Sequence, residues 1–157
     1  MFRPGDLIIF PTQGVVSVLE VERFEVGGLV GSLYALRCLD TDKILQVPTA
    51  NAEQLGLRSL ASRAEAASAR VVLQAPPLEA LPEERRALEL VLKLQRGGLL
   101  EVAEVVRDLH AARQRRPLTQ GERRIDALAL RLLVQELAAV EGLDEDAVAA
   151  QIEALLG

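Results

Sequence analysis

Few residues in this chain are of types that do chemistry, and their spacing argues against most of it. His110 is the lone histidine and Cys38 the lone cysteine. A nucleophilic triad needs a histidine held between a nucleophile and an orienting acid. No G-x-S-x-G turn or activated-cysteine setting accompanies His110, which reads as a surface or boundary residue near a helix end. The run Leu33-Tyr34-Ala35-Leu36-Arg37-Cys38-Leu39 predicts a strand, where a small thiol is a buried and inert core residue. One cysteine supports neither an internal disulfide nor a thiolate metal site. Gly27-Gly28-x-x-Gly31 has the glycine count of a phosphate loop. It joins strand to strand, however, and lacks the Lys-Ser/Thr ending, so it predicts a hairpin tip. Asp40-x-Asp42 begins like a calcium loop, but Leu45 stands where the sharp turn needs Gly and Asn51 where the cation needs Glu. Asp144-Glu145-Asp146 suits a helix N-terminus, whose dipole favours carboxylates. The expectation is a protein with no catalytic residues, no metal and no cofactor.

The arginines carry more information. Arg86, Glu89, Lys93 and Arg96 share one helical face, with Arg85 beside it, and Glu89 precedes Lys93 by the four residues that favour an ion pair. Arg113, Arg115 and Arg116, then Arg123 and Arg124, flank one connection around Pro117. Two readings stay open. The cluster is a solvated helix end, favoured by the dipole, or it is a patch that contacts phosphates. Arg124, at a helix start, opposes the dipole and leans toward the second.

The elements that must position these residues fall into two halves. All aromatic residues (Phe2, Phe10, Phe24 and Tyr34) lie in the first 34 positions. Residues 1–58 read as short strands: Leu7–Phe10, Gly14–Leu19, Phe24–Val26, Leu33–Leu39 and Ile44–Val47, separated by Pro, Gly and Asp turns. That pattern predicts a small antiparallel barrel of the Tudor or SH3-like type. Residues 59–157 read as an all-α bundle of about five helices. Ser62-x-x-Glu65 and Thr119-x-x-Glu122 are capping boxes, Pro82 suits a first turn, and Gly97-Gly98, Pro117 and Gly142 are stops. The fourth helix is apolar on most faces and predicts the central position. The fold class is therefore α+β. The net charge of −5 excludes a general basic coat for nucleic acid, so any such contact must be local. No run reaches the ~18 apolar residues of a membrane span and no signal pattern opens the chain, which predicts a cytoplasmic protein.

Taken in order, several segments resemble the CarD/CdnL family of bacterial transcription regulators. In the first half they are Pro4-Gly5-Asp6, Pro11, Gly14-Val15-Val16, Tyr34-x-Leu36-Arg37, Val47-Pro48, Asn51-Ala52-Glu53 and Gly56-Leu57-Arg58. In the second they are Arg85-Arg86, the run from Glu101 to Leu109, Leu118-Thr119-x-Gly121-Glu122-Arg123-Arg124 and Leu133-Val134-x-Glu136-Leu137. The resemblance spans nearly the whole chain. It implies a Tudor-like domain over 1–58 that binds the β subunit of RNA polymerase, and a helical domain over 59–157 that touches promoter DNA. By the same resemblance, Arg23, Phe24 and Val26 on one strand and Leu45, Gln46 and Val47 on another would face the polymerase. Arg85, Arg86, Arg123 and Arg124 would face DNA.

The chain also departs from that pattern. Two arginines that mark the family's polymerase-facing surface align with Phe24 and Gln46. The family's Trp, two residues before the Arg-Arg pair, aligns with Glu83, which cannot wedge against a base step. Two basic positions of the fourth helix fall on Leu128 and Leu130. Residues 61–157 hold 13 Lys and Arg against 16 Asp and Glu, a balance of −3. Two functions follow: a polymerase-binding regulator with weakened or altered DNA contact, or an adaptor whose helical domain holds another protein and no DNA.

Overall fold

The computed structural model describes residues 1–78 and 82–157, with Glu83 and Glu84 described by their backbone alone. It divides into two units, Met1–Leu60 and Ala61–Gly157. The first is a five-stranded antiparallel sheet: β1 (Leu7–Phe10), β2 (Gly14–Val26), β3 (Leu29–Cys38), β4 (Ile44–Pro48) and β5 (Arg58–Ser59). Their order is β4-β3-β2-β1-β5, so the sheet is open and barrel-like, with β4 and β5 at its margins. Alternation along the strands turns Ile8, Val16, Val18, Tyr34, Leu36, Cys38 and Val47 into one core, closed by Leu57. Phe2 packs its ring 5.8 Å from that of Tyr34.

Two strand assignments differ from the sequence reading. The segments Gly14–Leu19 and Phe24–Val26 are one strand, β2, because a bulge between Val18 and Glu20 lets the alternation run on against the same partner, β3. The fifth strand is instead β5, a two-residue pairing with β1. Two residues are too few to show a period. At the far end of β2, Val26 pairs with Leu29 across Gly27-Gly28, whose φ values of 56° and 83° make the two-residue turn that suits twisted strands.

The second unit comprises α1 (Arg63–Gln74), α2 (Glu83–Arg96), α3 (Leu99–Arg115), α4 (Gln120–Glu141) and α5 (Glu145–Leu156). α4 packs against each of the other four. Its Leu133 and Leu137 are fully buried among Ala66, Ala103, Val105, Leu109 and Ile152. Both capping boxes form. Glu65 N–H donates to Ser62 Oγ at 3.0 Å and Ser62 N–H to Glu65 Oε1 at 3.1 Å; Thr119 and Glu122 repeat the exchange at 3.1 and 3.0 Å. Asp144 holds the N-cap position of α5 without a side-chain cap bond, so its carboxylate acts there through the dipole alone. Glu136, 3% exposed on α4, accepts the Ala61 N–H at 2.8 Å and ties the chain before α1 to the central helix.

Removing the first cap gives a direct check. Ser62→Ala is expected to cost about 1 kcal/mol, because Glu65 N–H loses its acceptor. The measurement is a lower urea midpoint at unchanged slope.

Candidate functional site

Two surfaces collect the residues singled out from the sequence. The first is the β4 margin. Cys38 N–H donates to Lys43 C=O at 2.9 Å, which makes that facing pair a hydrogen-bonded one. Leu36 faces Leu45 and Tyr34 faces Val47, so by alternation Leu45 and Val47 spend their backbone groups on β3. Ile44 and Gln46 then turn theirs to the open margin. The side chains sort the same way. Val47 is 5% exposed and Leu45 packs partly against the core, whereas Ile44 is 52% exposed and Gln46 is exposed. Val47 therefore belongs to the core, and a partner strand would meet little of its side chain. Ile44, absent from the sequence-based set, stands beside Gln46 on the outward face. The period of two starting from buried Val47 was the signal that could have found it.

Arg23, Phe24 and Val26 lie on the arm of the β2–β3 hairpin. β4 pairs with β3 only from Leu33 to Arg37, so this arm runs past the end of β4. Gln46 faces Ala35, Ala35 faces Glu20, and Phe24 is four residues farther along β2, a separation of roughly 13 Å along the strand. The two sequence-predicted groups are thus ends of one surface rather than one cluster. Phe24 lies over Gly31, where an added Cβ would sit 2.6 Å from the ring. Val26, Leu29 and Val30 are exposed at the tip. Glu20 and Glu22 lie between the groups, and Glu20 raises the Glu22 carboxyl pKa above its ordinary value, first by a hydrogen bond and then by like-charge repulsion. Apart from the exposed Arg23, this surface is apolar and acidic, with Phe24 and Gln46 at the two positions that depart from the arginines of the resemblance.

The second surface is the end of the bundle where α2 and α4 begin. Arg86 and Glu122 bring those two first turns together, with Arg86 Nε 3.9 Å from Glu122 Oε2. The positive dipole ends of both helices therefore lie near one another, a setting that favours anions. Three of the clustered arginines nevertheless spend donors within the protein. Arg116 grips Glu122 with both Nη atoms at 2.9 Å. That hydrogen-bonded pair lowers the Glu122 carboxyl pKa to about 2 against the opposing effect of burial, and the Thr119 N–H helps. Arg113 pairs with Asp126, and Arg123 gives one Nη to Leu118 C=O at 2.8 Å. Arg85 and Arg124 are exposed and have no ion pair among the described residues. Of the four residues assigned to DNA, these two are the freest, Arg123 is partly engaged, and Arg86 faces Glu122. Leu128 and Leu130 pack partly against the helical core. The expectation for Glu83 concerns a side chain outside the described ones; its backbone opens α2. The sequence reading missed Glu122 as the hub of this surface, although its capping-box position was visible.

Comparison with known proteins covers both units. The model for the CarD-like/TRCF RID domain matches residues 2–61, and that for the CarD C-terminal domain matches residues 71–153. A relative in Bacillus subtilis (strain 168), YdeB, named provisionally as a transcription factor, is 25% identical over 146 residues, covering 92% of this chain and 95% of that protein. Since the C-terminal model alone spans more than half of the sequence and the RID model accounts for the sheet, this chain belongs to the CarD family.

Proposed function

We propose that this chain is a transcription regulator that binds the RNA polymerase β subunit through its sheet and modulates initiation at promoters, with weakened phosphate contact from its helical unit. A transcription-related role follows from the CarD and RID matches and from the name of the B. subtilis relative. The polymerase contact is supported by one observation: among the described residues, β4 has β3 on one side and no strand on the other. Its outward backbone groups at Ile44 and Gln46 suit β-augmentation, in which a guest strand adds to a sheet margin. The work of such a regulator is cytoplasmic; no helix among the described residues is long and apolar enough to cross a membrane. Capture of a polymerase β-lobe fragment by the full chain at near-physiological salt tests this reading. Absence of capture counts directly against it.

A second reading rests on the internal pairing of Arg113, Arg116 and Arg123 and on Leu88, 58% exposed on α2. Here the helical unit holds another protein and leaves DNA alone. Salt titration against a fork-junction DNA separates the two. If Arg85 and Arg124 each neutralise a phosphate, replacing either with Ala flattens the slope of log K against log salt by about 1, with a smaller change for Arg86→Ala. An adaptor shows no DNA affinity to titrate.

A further inference from the structure

The helical unit holds a cavity of about 280 Å³ between α2, α3 and the start of α4. Its floor is apolar, formed by Leu90, Leu109 and Ala112. Its rim is charged, and the charges are unevenly spent. Lys93 is paired with Glu104 at 2.8 Å and Arg116 with Glu122. Arg86 lines the cavity with a side chain 24% exposed, while its Nε is buried behind it without a hydrogen-bond acceptor, 3.9 Å from Glu122. Arg115 also lines it and has no ion pair among the described residues. A guanidinium short of acceptors at a cavity rim suits an anionic partner. An apolar floor beneath it calls for more than a water, which needs several polar partners of its own.

We infer that this cavity is a binding site for a small amphipathic monocarboxylate, its carboxylate received by Arg86 and Arg115 and its apolar body resting on Leu90, Leu109 and Ala112. The size sits just below that of drug-sized pockets, which suits a short chain and excludes a dinucleotide. Glu89, Asp108 and Glu122 on the same rim disfavour a dianionic phosphate, while a single negative charge is matched by the guanidiniums. Arg86 is common to this site and to the DNA-facing set, but the site needs no DNA contact to form.

The test uses octanoate with the full chain, read by the methyl resonances of Leu90, Leu109 and Ala112. Octanoate is expected to shift them saturably below ~10 mM, as a ligand of its size allows. Octanol and inorganic phosphate are expected to bind at least about tenfold more weakly, the worth of one charge-assisted contact. Arg86→Met is expected to weaken octanoate by a similar factor, and the exposed Arg115→Met, which leaves the core untouched, by a smaller one. Absence of methyl shifts, equal affinity for octanol, or undiminished octanoate binding by both variants overturns the assignment.

Discussion

Gln46→Pro is expected to lower affinity for a polymerase β-lobe fragment at least tenfold while leaving the fold intact. Gln46 lies on a margin strand, and the alternation set by the Cys38–Lys43 bond turns its N–H away from β3. Proline removes that donor without costing a bond of the β3–β4 ladder. Margin strands are where sheets tolerate it, and Leu45 before it is already extended, as the residue preceding proline must be. A guest strand loses a hydrogen bond of about 1 kcal/mol and meets the ring where it should lie flat, which together exceed the 1.4 kcal/mol of a tenfold change. Titration of the fragment against both proteins, beside their urea midpoints, gives the answer. Equal affinity for the proline variant would mean that the partner does not add to β4.

The second large effect lies in the helical unit. Glu122 is 3% exposed, caps α4, takes two bonds from Arg116 and faces Arg86. Glu122→Ala takes two charge-assisted bonds from Arg116, removes the negative charge beside Arg86 and opens the cap, so a loss of about 2–4 kcal/mol is expected. The charge also predicts a pH dependence. The carboxyl pKa falls from an ordinary 4.5 to about 2 on folding. A depressed carboxyl contributes stability that is fully present above its unfolded value and is lost as pH falls through its folded one. The window is therefore pH 5 down to 2, and the contribution is on the order of 3 kcal/mol. Glu122→Gln keeps a cap acceptor and removes the charge. Its unfolding free energy should track the parent's less steeply across that window, and superimposable profiles would refute the ion pair's role.

The sequence disclosed most wherever a rule is local. The two capping boxes, the Gly27-Gly28 turn and the change from strands to helices after Leu57 could be read because each depends on residues within four positions of one another. The order of the CarD-like segments was legible for the same reason, since a motif is a string. β5 was hidden because its two residues gain strand character only from β1, some fifty positions away. The bulge in β2 was hidden too: nothing in Val18-Leu19-Glu20 tells which residue its partner will skip.

Charge counts illustrate the division most clearly. The string alone placed five arginines around Pro117 and put Arg85-Arg86 at the start of a helix, and it supplied Glu, Leu and Gln where the family resemblance asks for Trp, basic residues and Arg. Only the folded chain decided which of those cations are occupied. Arg116 lies six residues from Glu122 and Arg86 thirty-six, yet both reach the same carboxylate, because packing α2 beside α4 brings their first turns together. Side-chain type and short-range geometry are written in the string. Which partner neutralises a charge, and which margin of a sheet stays open, depends on contacts that exist only after distant segments have packed.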